Sequence, residues 1–142
     1  LERSHTVLMI AATLGLAFDH RLRYYSKTDT AFMVIMDAAA NALVELACDQ
    51  LQADLPYEDY TFRFSPGYGQ VPLSLQKDII RLLDAQKRIG LTLTSTSMMV
   101  PQKSITGIVG VGDQSKKSSC DGCRLINDCE FRKRGTVCYK IH

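Results

Sequence analysis

Two stretches carry residues whose types and spacing could do chemistry. The first is Arg63-Phe-Ser-Pro-Gly67-Tyr68. A guanidinium is a planar, permanently charged fork of donors that suits a carboxylate. Gly67 lets backbone groups come close to a ligand. Tyr68 can stack on a ring or donate a hydrogen bond. Together they suit a small molecule bearing a carboxylate and a heterocycle. The competing reading is a structural turn with a surface arginine. The second stretch is Cys120-x2-Cys123-x5-Cys129-x8-Cys138, four of the five cysteines. Two thiolates at C-x-x-C spacing can grip one metal, and two more complete a tetrahedral set. Four cysteines equally suit an iron–sulfur cluster, and Arg124, Arg132, Lys133 and Arg134 would offset the negative charge of such a centre. The spacing matches neither a standard zinc finger nor a common ferredoxin run, so zinc and iron–sulfur both stay open, as do disulfides or idle thiols. Cys48 stands apart in an apolar helical pattern and reads as a core residue.

Other candidates reduce to structure. Gly107-Ile-Val-Gly110-Val-Gly112 resembles a dinucleotide loop only superficially, because that loop needs glycines between a strand and a helix N-terminus. Glycines inside a β-rich run more often mark a bulge or close packing. His5, His20 and His142 have no partner at ligand spacing. Asp37, Glu45 and Asp84 fall on helices and read as solvated or packing carboxylates. No nucleophile–base pairing is suggested.

The elements that must position these residues follow from periodicity. Residues 6–13 read as a buried strand closed by Gly15, and Asp19 to Lys27 as a polar segment of one or two helical turns. Thr28 or Asp29 can cap a long helix over residues 30–52. Its apolar stripe is Phe32, Ile35, Met36, Ala39, Leu43, Leu46, Ala47 and Leu51. Tyr60 to Phe64 alternate as a short strand, and Ser65 to Gly69 form a turn. Pro72 and Ser74 open a second helix running to about Ile89, stopped by Gly90. Leu91 to Ser97 alternate as a strand that Met98 to Pro101 break, and residues 105–111 are β-rich. Helices and strands mix without strict alternation. The expected class is α+β, a mostly antiparallel sheet backed by helices, with a cysteine-rich C-terminal segment. Residues 1–113 would form the main domain and residues 114–142 the cysteine-rich tail.

A chain of 142 residues, 46% hydrophobic and 23% charged, can build one real core. Seventeen basic residues against fifteen acidic ones leave a net charge of +2, which gives no nucleic-acid footprint. No unbroken apolar run reaches the roughly 18 residues that span a bilayer, and no export signal is visible. The expectation is a cytoplasmic protein with reduced thiols and no membrane or nucleic-acid partner. A start without Met, directly before an apolar run, suggests a piece of a longer protein.

The chain resembles the activation domain of cobalamin-dependent methionine synthase, in its small stand-alone bacterial form. Arg63-Phe-Ser-Pro-Gly67-Tyr68 matches that family's Arg-x-x-x-Gly-Tyr motif. Similar surroundings run from Gly69 through Leu75-Gln76, over Leu82-Leu-Asp-Ala-Gln-Lys-Arg-Ile-Gly90, and into Ser97-Met-Met-Val-Pro-Gln-Lys-Ser-Ile-Thr-Gly107. Ala12-Thr-Leu-Gly15 and Asp37 to Glu45 add to the likeness, which covers residues 11–112. The resemblance implies an S-adenosylmethionine-binding module. It would support reductive methylation, and so reactivation, of a cobalamin-dependent methyltransferase such as methionine synthase. The cobalamin would sit on a partner domain or protein, and an electron donor would be a further partner. Arg63 would pair with the methionine carboxylate, Ser65 and Gly67 would offer backbone contacts, and Tyr68 would pack on the ligand. Three departures are plain, the first being that the family's N-terminal acidic ligand has no match here. Pro72-Leu73-Ser74 stands where the long enzymes carry Pro-Asp-His, and Ile108-Val109-Gly110 occupies the stretch that supplies their later tyrosine. The alternative reading is an iron–sulfur or zinc-binding accessory protein using the C-terminal cysteines.

Overall fold

The computed structural model describes residues 4–57, 59–69, 71–112 and 127–136. Its centre is strand β4 (Ser104–Gly112), antiparallel to β1 (Ser4–Thr13) with Val7 opposite Gly110 and Thr13 opposite Ser104. The other edge of β4 takes residues 59–64. These form bridges at Tyr60–Val111 and Phe64–Ile108, with reciprocal hydrogen bonds of 2.9 Å between Phe64 and Ile108. Flanked on both edges, β4 is buried along almost its whole length. A Val/Ile/Gly-rich sequence suits a strand buried along most of its length.

Helix α1 (Leu16–Thr28) leaves β1 at Gly15, whose φ of 81° favours glycine. It spans 13 residues, longer than the one or two turns its polar sequence suggests. Asp19 in its first turn accepts a hydrogen bond from the Gln102 backbone at 2.8 Å, anchoring the helix to the loop before β4. Helix α2 (Thr30–Ala53) follows, with the Asp29 carboxylate capping the Phe32 N–H at 3.0 Å. Tyr25 of α1 meets Phe32 of α2 edge to face, ring centroids 4.7 Å apart.

The face that α2 turns to the sheet corrects the sequence expectation. The buried residues are Ala40, Val44, Cys48 and Gln52, a single i, i+4 line. Cys48 packs with Ile10 and Val109 in the core, as its apolar setting suggests. The broader apolar stripe with Phe32, Ile35, Leu43 and Leu46 lies exposed. Ala40, Val44 and Cys48 on the buried line are smaller than the exposed Phe32, Ile35, Leu43 and Leu46, and they pack at interior density against the sheet. By length and composition α2 is also long and apolar enough to cross a membrane, although scattered polar residues break its apolar runs.

The second predicted helix is two: α3 (Leu75–Leu82) and α4 (Ala85–Ile89), separated where Asp84 adopts φ 49°. Gly90 ends α4 in the left-handed conformation, as expected. The Leu/Thr alternation becomes a small hairpin. β2 (Thr92–Leu93) pairs with β3 (Met99–Val100), the stretch read as a strand break. The fold is α+β with a small antiparallel sheet and packed helices. Of the cysteine-rich segment, Cys120, Cys123 and Cys138 lie outside the described residues. Cys129 precedes a short helix, α5 (Glu130–Lys133), as a free thiol.

Candidate functional site

Residues 61–64 alternate along the edge of β4. Thr61 is buried and takes the Gly110 N–H on its hydroxyl at 3.0 Å. The Phe62 and Phe64 rings touch, centroids 4.3 Å apart, so Arg63 projects from the opposite face. That face looks toward α2. The Arg63 stem crosses Gly107 of β4, where an added Cβ would lie 2.5 Å from its Cγ and 2.9 Å from its Cδ. The missing side chain at 107 is thus a cradle for the arginine. This is the close approach that glycine within a strand suggests.

The Arg63 side chain is only 10% exposed, and its guanidinium ends among three residues of α2. Nη1 donates to Gln52 Oε1, while Nη2 donates to Glu45 Oε2 at 2.5 Å and to Asp49 Oδ1 at 3.1 Å. Residues 45, 49 and 52 are spaced four and three apart, hence on one side of the helix. Gln52 is buried, whereas the Glu45 and Asp49 side chains are 58% and 57% exposed. Burial alone would lower the Arg63 pKa. Hydrogen bonds to Glu45 and Asp49 and the charges of Cys48 and Glu45 outweigh it, so the pKa rises. Next to it, burial pushes the Cys48 thiol pKa up, and the Arg63 charge offsets part of that rise.

Beyond Arg63 the chain makes the tight turn expected from Ser-Pro-Gly-Tyr-Gly. The Tyr68 N–H donates to the Ser65 carbonyl at 3.1 Å, and the Gly67 N–H donates to the Val71 carbonyl at 2.9 Å. Gly67 has φ 84°, which explains why glycine stands there. Tyr68 is 76% exposed, its ring unpacked and available as a stacking surface. The structure therefore places Arg63, Ser65, Gly67 and Tyr68 on one short ribbon. It also adds Glu45, read from sequence as a solvated or packing carboxylate, together with Asp49 and Gln52, which lie outside the motif. Their signal was an i, i+4, i+7 polar line beside the apolar stripe.

This arrangement can bind a carboxylate by exchange. The Glu45 and Asp49 side chains are more than half exposed, so an incoming carboxylate can take the place of either on Nη2 while keeping the largely buried Arg63 charge paired. Buried Gln52 retains Nη1 and keeps the guanidinium in place. The residues fit S-adenosylmethionine in chemical type: a cation for its carboxylate, exposed carboxylates for its positive groups and an open aromatic face for its adenine. A cleft of about 240 Å³ lies elsewhere, lined by Asp19, Leu22, Arg23, Ser26, Met33 and Gln102, and shares no residue with this ribbon. Among the described residues no group of three or more His, Cys, Asp or Glu could hold a metal ion.

Residues 2–134 match the family described as vitamin B12 dependent methionine synthase, activation domain. No curated protein matches the chain. Among solved structures it is similar to one described as the crystal structure of the MetH reactivation domain bound to AdoHcy, with a TM-score of 0.69 and 22% identity. The match covers 92% of this chain and 47% of that one, so this chain spans about half the length of its structural relative. At that identity the likeness speaks for the fold.

Proposed function

The chain belongs to the vitamin B12 dependent methionine synthase activation domain family, and from that premise we propose that it binds S-adenosylmethionine and presents it to cobalamin held on a separate domain or protein. There it would support the reductive methylation that returns an oxidised cobalamin-dependent methyltransferase to activity, with electrons from a separate donor. The observation that carries the reading is the Arg63 guanidinium. It opens the Arg-x-x-x-Gly-Tyr motif, is cradled by Gly107, and is held by two solvent-exposed carboxylates that a ligand carboxylate can displace.

Arg63 pairs with the methionine carboxylate of the ligand. Ser65 and Gly67, fixed by the hydrogen bonds of the turn, contribute backbone contacts, and Tyr68 packs on the ligand. Bound S-adenosylmethionine supplies a methyl group already activated by its sulfonium. The chain therefore needs no general acid or base, and its task is to hold the donor in a fixed orientation. Titration calorimetry of this chain with S-adenosylmethionine tests the reading. Binding to the wild type should weaken by about 2 kcal/mol in Arg63→Ala, as for loss of a charged hydrogen-bonded pair. Equal affinities, or no binding to the wild type, would overturn it.

A further inference from the structure

The Arg63 site has an uneven charge. One guanidinium is faced by two carboxylates, Glu45 and Asp49, at 2.5 and 3.1 Å, which sums to −1. The next acid toward the helix start, Asp37, is neutralised by Lys103 at 2.8 Å, and Lys103 also donates to Asn41. The excess therefore sits at Glu45 and Asp49. Both side chains are more than half exposed, and they open onto the solvent from which a ligand would come.

This charge bears on the choice between the two forms of a methyl donor. S-adenosylmethionine carries a carboxylate, an ammonium and a sulfonium, for a net charge of +1. Once the methyl group has left, the thioether product S-adenosylhomocysteine carries only the carboxylate and ammonium and is neutral. The two molecules share adenine, ribose and the amino-acid head, so contacts to those parts cannot separate them. A site with net negative charge favours the cationic donor on electrostatic grounds.

Resting on the reading of Arg63 given above, we propose that Glu45 and Asp49 are specificity-determining residues that make this site favour the cationic methyl donor over its neutral product. The same two carboxylates hold Arg63 until a ligand arrives. When the ligand carboxylate takes a place on Nη2, the displaced acid is left beside a site that has just gained a positive ligand. Loss of the sulfonium charge after methyl transfer removes that attraction and eases product release.

The test is equilibrium binding of S-adenosylmethionine and S-adenosylhomocysteine to the wild type and to the isosteric double variant Glu45→Gln/Asp49→Asn. The wild type should prefer the donor, and the variant should lose about fivefold or more of that preference. Freeing Arg63 from its acids acts on the carboxylate that both ligands share, so the ratio of affinities isolates the charge effect. A tenfold rise in salt should shrink the wild-type ratio as well, which keeps the proposal testable if the double variant does not fold. A ratio that is unchanged in the variant, or insensitive to salt in the wild type, overturns the proposal while leaving S-adenosylmethionine binding intact. Failure of the wild type to bind either ligand removes the functional reading and this inference together.

Discussion

Gly107→Ala tests the geometry of the site more sharply than removal of any charged group. The new Cβ would sit 2.5 Å from Arg63 Cγ and 2.9 Å from its Cδ. Carbon atoms pack at about 3.5–4.0 Å, so the stem must retreat by roughly 1 Å or more. It cannot do so freely, because its head is fixed to Gln52, Glu45 and Asp49. The Asp49 contact, already at 3.1 Å, is the first to break. Overpacking of this kind costs about 1–3 kcal/mol, which for a chain of this length lowers Tm by about 4–8 °C at the middle of that range. Affinity for S-adenosylmethionine should fall with it, because the guanidinium is no longer delivered to the same place. The assay is a double-mutant cycle, with stability followed by thermal and urea unfolding. In an Arg63→Ala background the stem is gone, and Gly107→Ala should cost less than about 0.5 kcal/mol. An equal cost in both backgrounds would mean that β4 itself rejects the methyl group, and the cradle would not exist.

Tyr68→Ala should weaken S-adenosylmethionine binding by about 1 kcal/mol through loss of a stacking surface, with Tm unchanged because the ring is exposed; an unchanged calorimetric affinity would remove Tyr68 from the site. Burial raises the Cys48 thiol pKa above its usual value of 9.0, so the stability gained from keeping that thiol protonated is complete below the unfolded-state pKa. It is lost as pH rises through the folded-state value. Urea titrations should therefore show the wild type losing stability above about pH 9 more steeply than Cys48→Ala, and parallel curves would contradict this. Metal analysis and visible absorption of anaerobically purified protein check the cysteine reading. The expectation is a bound zinc or iron–sulfur centre that Cys120→Ser/Cys123→Ser abolishes, and metal-free wild type would end it.

Much of this fold was legible because local rules and tertiary packing agree. The Asp29 cap, the Gly90 stop, the Gly67 turn and the β4 run are each dictated within a few residues. The inner face of α2 was not. Periodicity pointed to Phe32, Ile35, Leu43 and Leu46, yet the sheet accepts the smaller line from Ala40 to Gln52. A hydrophobic pattern reveals which residues avoid water but not how closely a neighbouring sheet can approach. The same limit hid half the site. Arg63, Gly67 and Tyr68 are contiguous and readable as a motif. Glu45 and Asp49 join them because α2 packs across β4; their helical spacing puts them on one side of α2 but does not tell that this side meets Arg63. The glycines of the β-rich run were open to a bulge or close packing; at Gly107 it is close packing, and what packs there is a matter of register between β4 and residues 59–64.

The most direct measurement is a crystal structure of this chain grown with S-adenosylmethionine. Arg63 Nη2 should leave Glu45 or Asp49 for the ligand carboxylate, with Gln52 still holding Nη1 and the adenine against Tyr68. Clear density for the ligand at another place on the fold, with Arg63 still joined to both acids, would contradict the assignment at its root.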